Sequence, residues 1–205
     1  MKIYHLFHFD RSLKVRWLIN EINQKKEVIN YKVIQLDATR GEHLKAPFNE
    51  LNPYSLIPTV EFENGETMFE AGAICNYLSQ QFAPELIDMQ DKEYNQWLFY
   101  FSSSFDQICG GLIGLKMFGD DLSIRNKLES KLKNKLPVME QHLADKDYWY
   151  QDKFSLLDIF AWQNLAFLAN DNQLSSFKHL QRYIDNIAKR PALAVFNPDK
   201  LINPT

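Results

Sequence analysis

Cysteine is scarce in this 205-residue sequence: there are two, Cys75 and Cys109, far apart and in no CxxC pair. That argues against a disulfide framework and implies reduced, buried thiols. Long apolar runs are also missing. The first residues, Met-Lys-Ile-Tyr-His-Leu-Phe, are too short a run for a secretory signal, and no stretch approaches the roughly 20 apolar residues of a membrane span. No long basic run occurs either, and the formal net charge is -3, which leaves no electrostatic footprint for nucleic acid or an anionic membrane. A soluble cytoplasmic protein working on small molecules is expected, with no nucleic-acid or membrane partner. What is abundant is core-forming material, 45% hydrophobic residues including 15 Phe, 9 Tyr and 4 Trp, the composition of a chain that packs throughout.

Lys2–Phe7 reads as a strand, and Ser12–Glu27 as a helix with Val15, Leu18, Ile19 and Ile22 at helical spacing. Ile29–Leu36 alternates, with Tyr31, Val33 and Gln35 opposite Lys32, Ile34 and Leu36, as a second strand. This strand-helix-strand order favours parallel pairing. An irregular helical stretch over Glu42–Leu51 precedes a strand at Thr59–Phe62. Asn64-Gly65 then signals a tight hairpin with positive φ at both turn residues, followed by Thr67–Phe69 and a helix over Glu70–Phe82. The tally is βαβαββα, a thioredoxin-like α/β arrangement.

Beyond Pro84 the pattern becomes helical. A first domain over 1–82, a linker at 83–88 and an all-α domain over 89–205 are expected. Trp97, Phe101, Phe105, Ile108 and Leu112 mark one long amphipathic helix, and Leu128, Leu132, Leu136, Met139 and Leu143 a second. Gly110, Gly111 and Gly114 interrupt the first at up to about 1 kcal/mol each relative to Ala, a cost that close packing or a bend beside a pocket would offset. Further helices are expected around Leu156–Phe167 and Ser175–Lys189.

Two strings are specific: Leu51-Asn52-Pro53-Tyr54-Ser55-Leu56-Ile57-Pro58-Thr59-Val60 and Phe69-Glu70-Ala71-Gly72-Ala73-Ile74-Cys75-Asn76-Tyr77-Leu78. With Gly41-Glu42-His43 and Phe154-Ser155-Leu156-Leu157-Asp158-Ile159, they resemble the signature of cytosolic glutathione S-transferases, with a serine-type, bacterial flavour. The resemblance implies glutathione as co-substrate, no metal, a homodimer, and conjugation of the glutathione thiolate to small apolar electrophiles held against the helical domain, as in detoxification. It implies a cis Ile57–Pro58 bond, against the plain alternative of a trans Pro opening an edge strand. The backbone of Ile57 would pair with the cysteinyl part of glutathione.

The resemblance assigns the γ-glutamyl end to Glu70 and the backbone of Ala71, where a helix start favours anions. Complementing its own helix dipole is the alternative for Glu70. His43 and Lys45, the latter shifted by one residue, would meet the glycyl carboxylate; a solvated charged loop is their alternative. Ala71 lacks the usual hydroxyl, and Leu56 stands where many relatives carry a polar side chain. Ser12 is the candidate for stabilising the thiolate and equally the candidate N-cap of its helix. Tyr4 lies one residue from the tyrosine-type position, which His5 occupies, so it points to the opposite face. Arg11 stands where another bacterial class keeps a cysteine, and would add positive potential near the sulfur. His5 and His8 lack metal-ligand partners, and Ser155 with Asp158 reads as a capping box. Trp97, Tyr100, Phe101 and Phe105 read as core, or as lining for the electrophile. Two other functions share this scaffold: a glutathione-dependent disulfide reductase, isomerase or peroxidase, and a non-catalytic binding module, the latter favoured by Leu56 and Ala71.

Overall fold

The computed structural model describes residues 1–26 and 28–198. The expected helix end at Glu27 and positions 199–205 of the expected helical domain lie outside the described residues. The chain divides into two compact units, Met1–Ile87 and Asp88–Thr205.

The first unit runs β1 (Lys2–His5), α1 (Ser12–Lys25), β2 (Lys32–Gln35), a 3-10 turn (Glu42–Leu44), α2 (Phe48–Leu51), β3 (Thr59–Glu61), β4 (Thr67–Phe69) and α3 (Ala71–Phe82). The sheet order is β2-β1-β3-β4, with β1 and β2 parallel and the other pairs antiparallel. Central β1 and β3 supply buried Ile3 and Val60, while β2 at the edge exposes Lys32, Val33 and Gln35 and half-buries Ile34. α1 is buried all round over residues 12–19, including Lys14 and Arg16. Four apolar positions on one face did not announce this, because a single stripe implies one packed side whereas full burial needs neighbours on every side.

The β3–β4 hairpin departs from the expected two-residue turn. Gly65 alone has positive φ (83°), and Phe62 N–H donates to the Glu66 carbonyl and Gly65 N–H to that of Phe62. These bonds enclose a three-residue loop, Glu63–Gly65, whose left-handed last residue absorbs the bulge, so Asn64 needs no positive φ.

In the second unit, α4 (Lys92–Phe99) continues through a π-helical turn (Tyr100–Ser104) into α5 (Phe105–Phe118). The expected second long helix is two: α6 (Leu122–Lys133) and α7 (Leu136–His142). Pro137 is the physical reason: it has no N–H to continue the ladder and its ring clashes with the preceding turn, so it fits the first turn of a new helix. α8 (Leu156–Asn170), α9 (Lys178–Ala188) and the short α10 (Pro191–Ala194), which no pattern signalled, follow. A Cβ on Gly111 would come within 2.8 Å of Leu128 Cδ1, so this glycine lets α5 and α6 approach closely, whereas Gly114 faces open space.

Phe101 stacks on Trp97 (5.6 Å) and meets the buried Trp149 edge-on (4.6 Å); of the four aromatics weighed as core or pocket lining, Phe101 and Phe105 are fully buried in the core, while Trp97 and Tyr100 are half-buried. Each such buried ring is worth about 1.5–3 kcal/mol relative to exposure. α8 opens with the expected capping box: the Asp158 carboxylate accepts from Ser155 N (2.8 Å), Trp149 N (2.8 Å), Tyr183 Oη (2.9 Å) and Ser155 Oγ (3.2 Å). No helix among the described residues is long and apolar enough to cross a membrane.

Candidate functional site at one end of the first sheet

Strand register decides which candidates meet. Tyr4 lies opposite Ile34 and Thr59, and Thr59 opposite Phe69. The C-terminal ends of β1, β2 and β4 and the N-terminal end of β3 therefore share one end of the sheet. From it spring the loop into α1 (with Ser12), the segment 36–58 (with His43, Lys45, Ile57 and Pro58) and the start of α3 (with Glu70 and Ala71). A cavity of about 360 Å³ elsewhere in this unit, bordered by Ile22, Lys25, Phe82 and Leu86 where α1 and α3 finish, includes none of these candidates.

Ile57–Pro58 is cis, which removes the trans alternative; Ala46–Pro47 is cis as well, without any forewarning. Pro58 is buried and Ile57 half-buried. Neither the amide nor the carbonyl of Ile57 is hydrogen-bonded among the described residues, so a short strand-like backbone is open to a peptide. Glu70 precedes α3 with φ 69° and ψ 110° and no side-chain capping bond. A non-glycine residue in such a conformation is strained by about 1–3 kcal/mol. Its carboxylate is exposed and the first-turn amides of α3 lack intrahelical partners. Ala71 is buried and adds only its backbone N–H.

Ser12 sits inside the first turn of α1, fully buried, and its hydroxyl neither caps the helix nor finds any hydrogen-bond partner. The capping alternative for Ser12 is thus corrected. Capping falls to Asp10, whose carboxylate accepts from Ser12 N (2.8 Å), Leu6 N (2.7 Å) and Phe7 N (3.0 Å). Asp10 was missed, although an Asp two residues before a helical run is a turn-and-cap signal. Arg11 is exposed at the N-cap position. The half-buried His43 has an enclosed Nδ1 without a partner, and exposed Lys45 donates from Nζ to the Arg40 carbonyl at 2.7 Å.

Tyr4 is excluded from the chemistry of this end: its hydroxyl donates to Glu61 Oε2 at 2.6 Å, and burial with that carboxylate pushes its pKa up to about 12. His5 is buried, its Nδ1 donates to the Phe7 carbonyl at 3.2 Å, and burial lowers its pKa. Cys75 and Cys109 are buried free thiols, and burial pushes the Cys75 thiol up. Among the described residues no group of three or more His, Cys, Asp or Glu is placed to hold a metal ion.

Residues 1–80 match the glutathione S-transferase N-terminal domain and residues 119–198 the glutathione S-transferase C-terminal domain, together well over half of the chain. The chain belongs to the glutathione S-transferase family. A glutathione S-transferase of Hyoscyamus muticus is 28% identical over 185 residues, which span 82% of this chain and 86% of that protein. An uncharacterized GST-like protein of Streptococcus mutans is 27% identical over 207 residues, covering 89% and 76% respectively. A glutathione transferase from Phanerochaete chrysosporium, solved with oxidized glutathione, superposes with a TM-score of 0.84 at 20% identity, covering 98% of this chain and 96% of its own; at that identity the likeness speaks for the fold.

Proposed function

We propose that this glutathione S-transferase family member binds glutathione at the open end of its first sheet and conjugates it, through its thiolate sulfur, to small apolar electrophiles, by addition or with displacement of a leaving group. One observation carries the reading: the unbonded backbone of Ile57 lies at the same sheet end as the open start of α3. In this reading the cysteinyl part of the tripeptide pairs with Ile57 as a short added strand, beside Pro58. The γ-glutamyl carboxylate meets the amides at Ala71 and the γ-glutamyl ammonium the carboxylate of Glu70. His43 and Lys45 face the glycyl carboxylate, and Ser12 hydrogen-bonds the sulfur. The enclosed, unpartnered Ser12 Oγ and His43 Nδ1 support this, because an unsatisfied buried polar atom costs about 1–3 kcal/mol until something pairs with it.

The thiolate is the nucleophile, and a free thiol has a pKa near 8.5, so lowering it by one or two units makes it largely ionised at neutral pH. A homodimer in the cytoplasm belongs to the same reading. A disulfide-exchange function carried by a protein thiol is disfavoured by the burial of both cysteines. The binding-module reading draws on Leu56, which is 49% exposed and offers no polar contact, and on Ala71.

Calorimetric titration with glutathione tests the proposal. Saturable binding at one site per chain is expected, weakened about tenfold in Glu70→Gln, the loss of one charge-assisted contact. Absence of binding to the wild-type chain sinks the catalytic reading and leaves the binding module.

A further inference from the structure

We infer that Asn52 and Thr59 are positioning residues that aim the Ile57 amide at the cysteinyl part of glutathione; this rests on the glutathione reading above. Residues 52–58, between α2 and β3, belong to no helix or strand. Pro53, Tyr54 and Leu56 are exposed there, and Ser55 carries a positive φ of 55°. A surface loop of this kind would ordinarily sample several paths. Here two fully buried polar side chains fix one of them. Asn52 Oδ1 accepts from Tyr54 N (3.0 Å) and the Asn52 carbonyl from Ser55 N (2.9 Å). Asn52 Nδ2 donates both to Thr59 Oγ1 (3.0 Å) and to the Leu56 carbonyl (3.1 Å), and Thr59 Oγ1 donates to that same carbonyl at 2.9 Å.

The Leu56 carbonyl thus receives two donors, one of them from a β3 residue that the sheet holds opposite Tyr4 and Phe69. The Leu56–Ile57 bond is trans. In a trans peptide plane the C=O and N–H point in opposite directions. Drawing the Leu56 carbonyl toward Asn52 and Thr59 therefore turns the Ile57 N–H away from them. That amide has no partner among the described residues. The loop is ordered when the chain folds rather than when the ligand arrives, and an extended peptide meets a donor already aimed. Both side chains are enclosed, so they act through the Leu56 carbonyl.

The test is calorimetric titration with glutathione of wild type, Thr59→Val, Thr59→Ser and Asn52→Asp, with Ile22→Ala as a core change where α1 finishes. Urea midpoints are measured for all, and the Ile57 amide is followed by heteronuclear NMR. Thr59→Val keeps nearly the same shape and removes one of the two donors, so binding should weaken about fivefold. Asn52→Asp removes the other donor and sets an oxygen against the Leu56 carbonyl, and a loss of about tenfold is expected. Thr59→Ser keeps the hydroxyl and should stay within about twofold of wild type. In the ligand-free protein the Ile57 amide resonance should move in Thr59→Val and return in Thr59→Ser. Ile22→Ala should lower the urea midpoint and leave affinity within about twofold, which separates aim from stability. Wild-type affinity in Thr59→Val, an unmoved Ile57 resonance, or an equal loss of affinity in Ile22→Ala overturns the inference while the glutathione reading stands. Failure of the wild type to bind glutathione overturns both.

Discussion

An acidic residue stands in the first turn of α8 and another immediately before α3, and the two are treated in opposite ways. At the start of α8, Asp158 is fully buried and accepts from two backbone amides and two hydroxyls. At the start of α3, Glu70 is exposed, held at φ 69°, and its side chain caps nothing. The first arrangement is closed and holds loop and helices of one unit together. The second spends backbone strain to leave amides and a carboxylate available. A helix start completed by its own neighbours is a folding element; one left incomplete at some cost is a candidate ligand site.

The comparison breaks most sharply at Asp158. Asp158→Ala strands the amides of Trp149 and Ser155 and the Tyr183 hydroxyl in the core, and a loss of about 3 kcal/mol or more is expected by urea denaturation. A change below 1 kcal/mol would mean that the closed start is not the anchor described.

A pH series sharpens the same contrast. Burial outweighs the donors and raises the Asp158 pKa from 3.8 to about 6. The ionised form is therefore disfavoured in the folded state, and the contribution of this group to stability rises as pH falls from about 6 to about 4, by up to roughly 3 kcal/mol. Glu61 and Asp37, whose pKa values are lowered by their partners, act in the opposite direction, since their stabilisation is lost as pH falls through their folded values. Subtracting the profile of Asp158→Asn isolates the Asp158 slope, and equal profiles would remove the claim.

The smallest effect has the reverse sign. Glu70→Gly relieves a positive φ, so stability should increase by up to about 1 kcal/mol while glutathione binding weakens. A destabilised variant would show that Glu70 serves the fold.

Much of the fold was legible because its signals are local. Alternation marked the edge strand, and Ser155 with Asp158 announced the capping box that opens α8. Pro137 was a legible stop overlooked amid a strong leucine pattern, since spacing continues across a break that a missing N–H enforces. The hairpin loop was legible as a turn, but its three-residue form depends on how β3 and β4 pair. The site was less legible. Ser12 looked like a cap, and the cap is Asp10, because which of two neighbouring side chains reaches the free amides is set by the path of the chain from β1 into the helix.

By itself the sequence determined the element order of the first unit, the location of the cis-proline string and the candidate residues for a tripeptide, since propensity, turn chemistry and proline geometry act over a few neighbouring residues. Only the tertiary structure decided that Ser12 is buried and Arg11 exposed, that Tyr4 is committed to Glu61, and that Ile57, Glu70 and Ala71 share one end of the sheet. Those outcomes depend on strand register and on burial from several sides, which join residues distant in sequence.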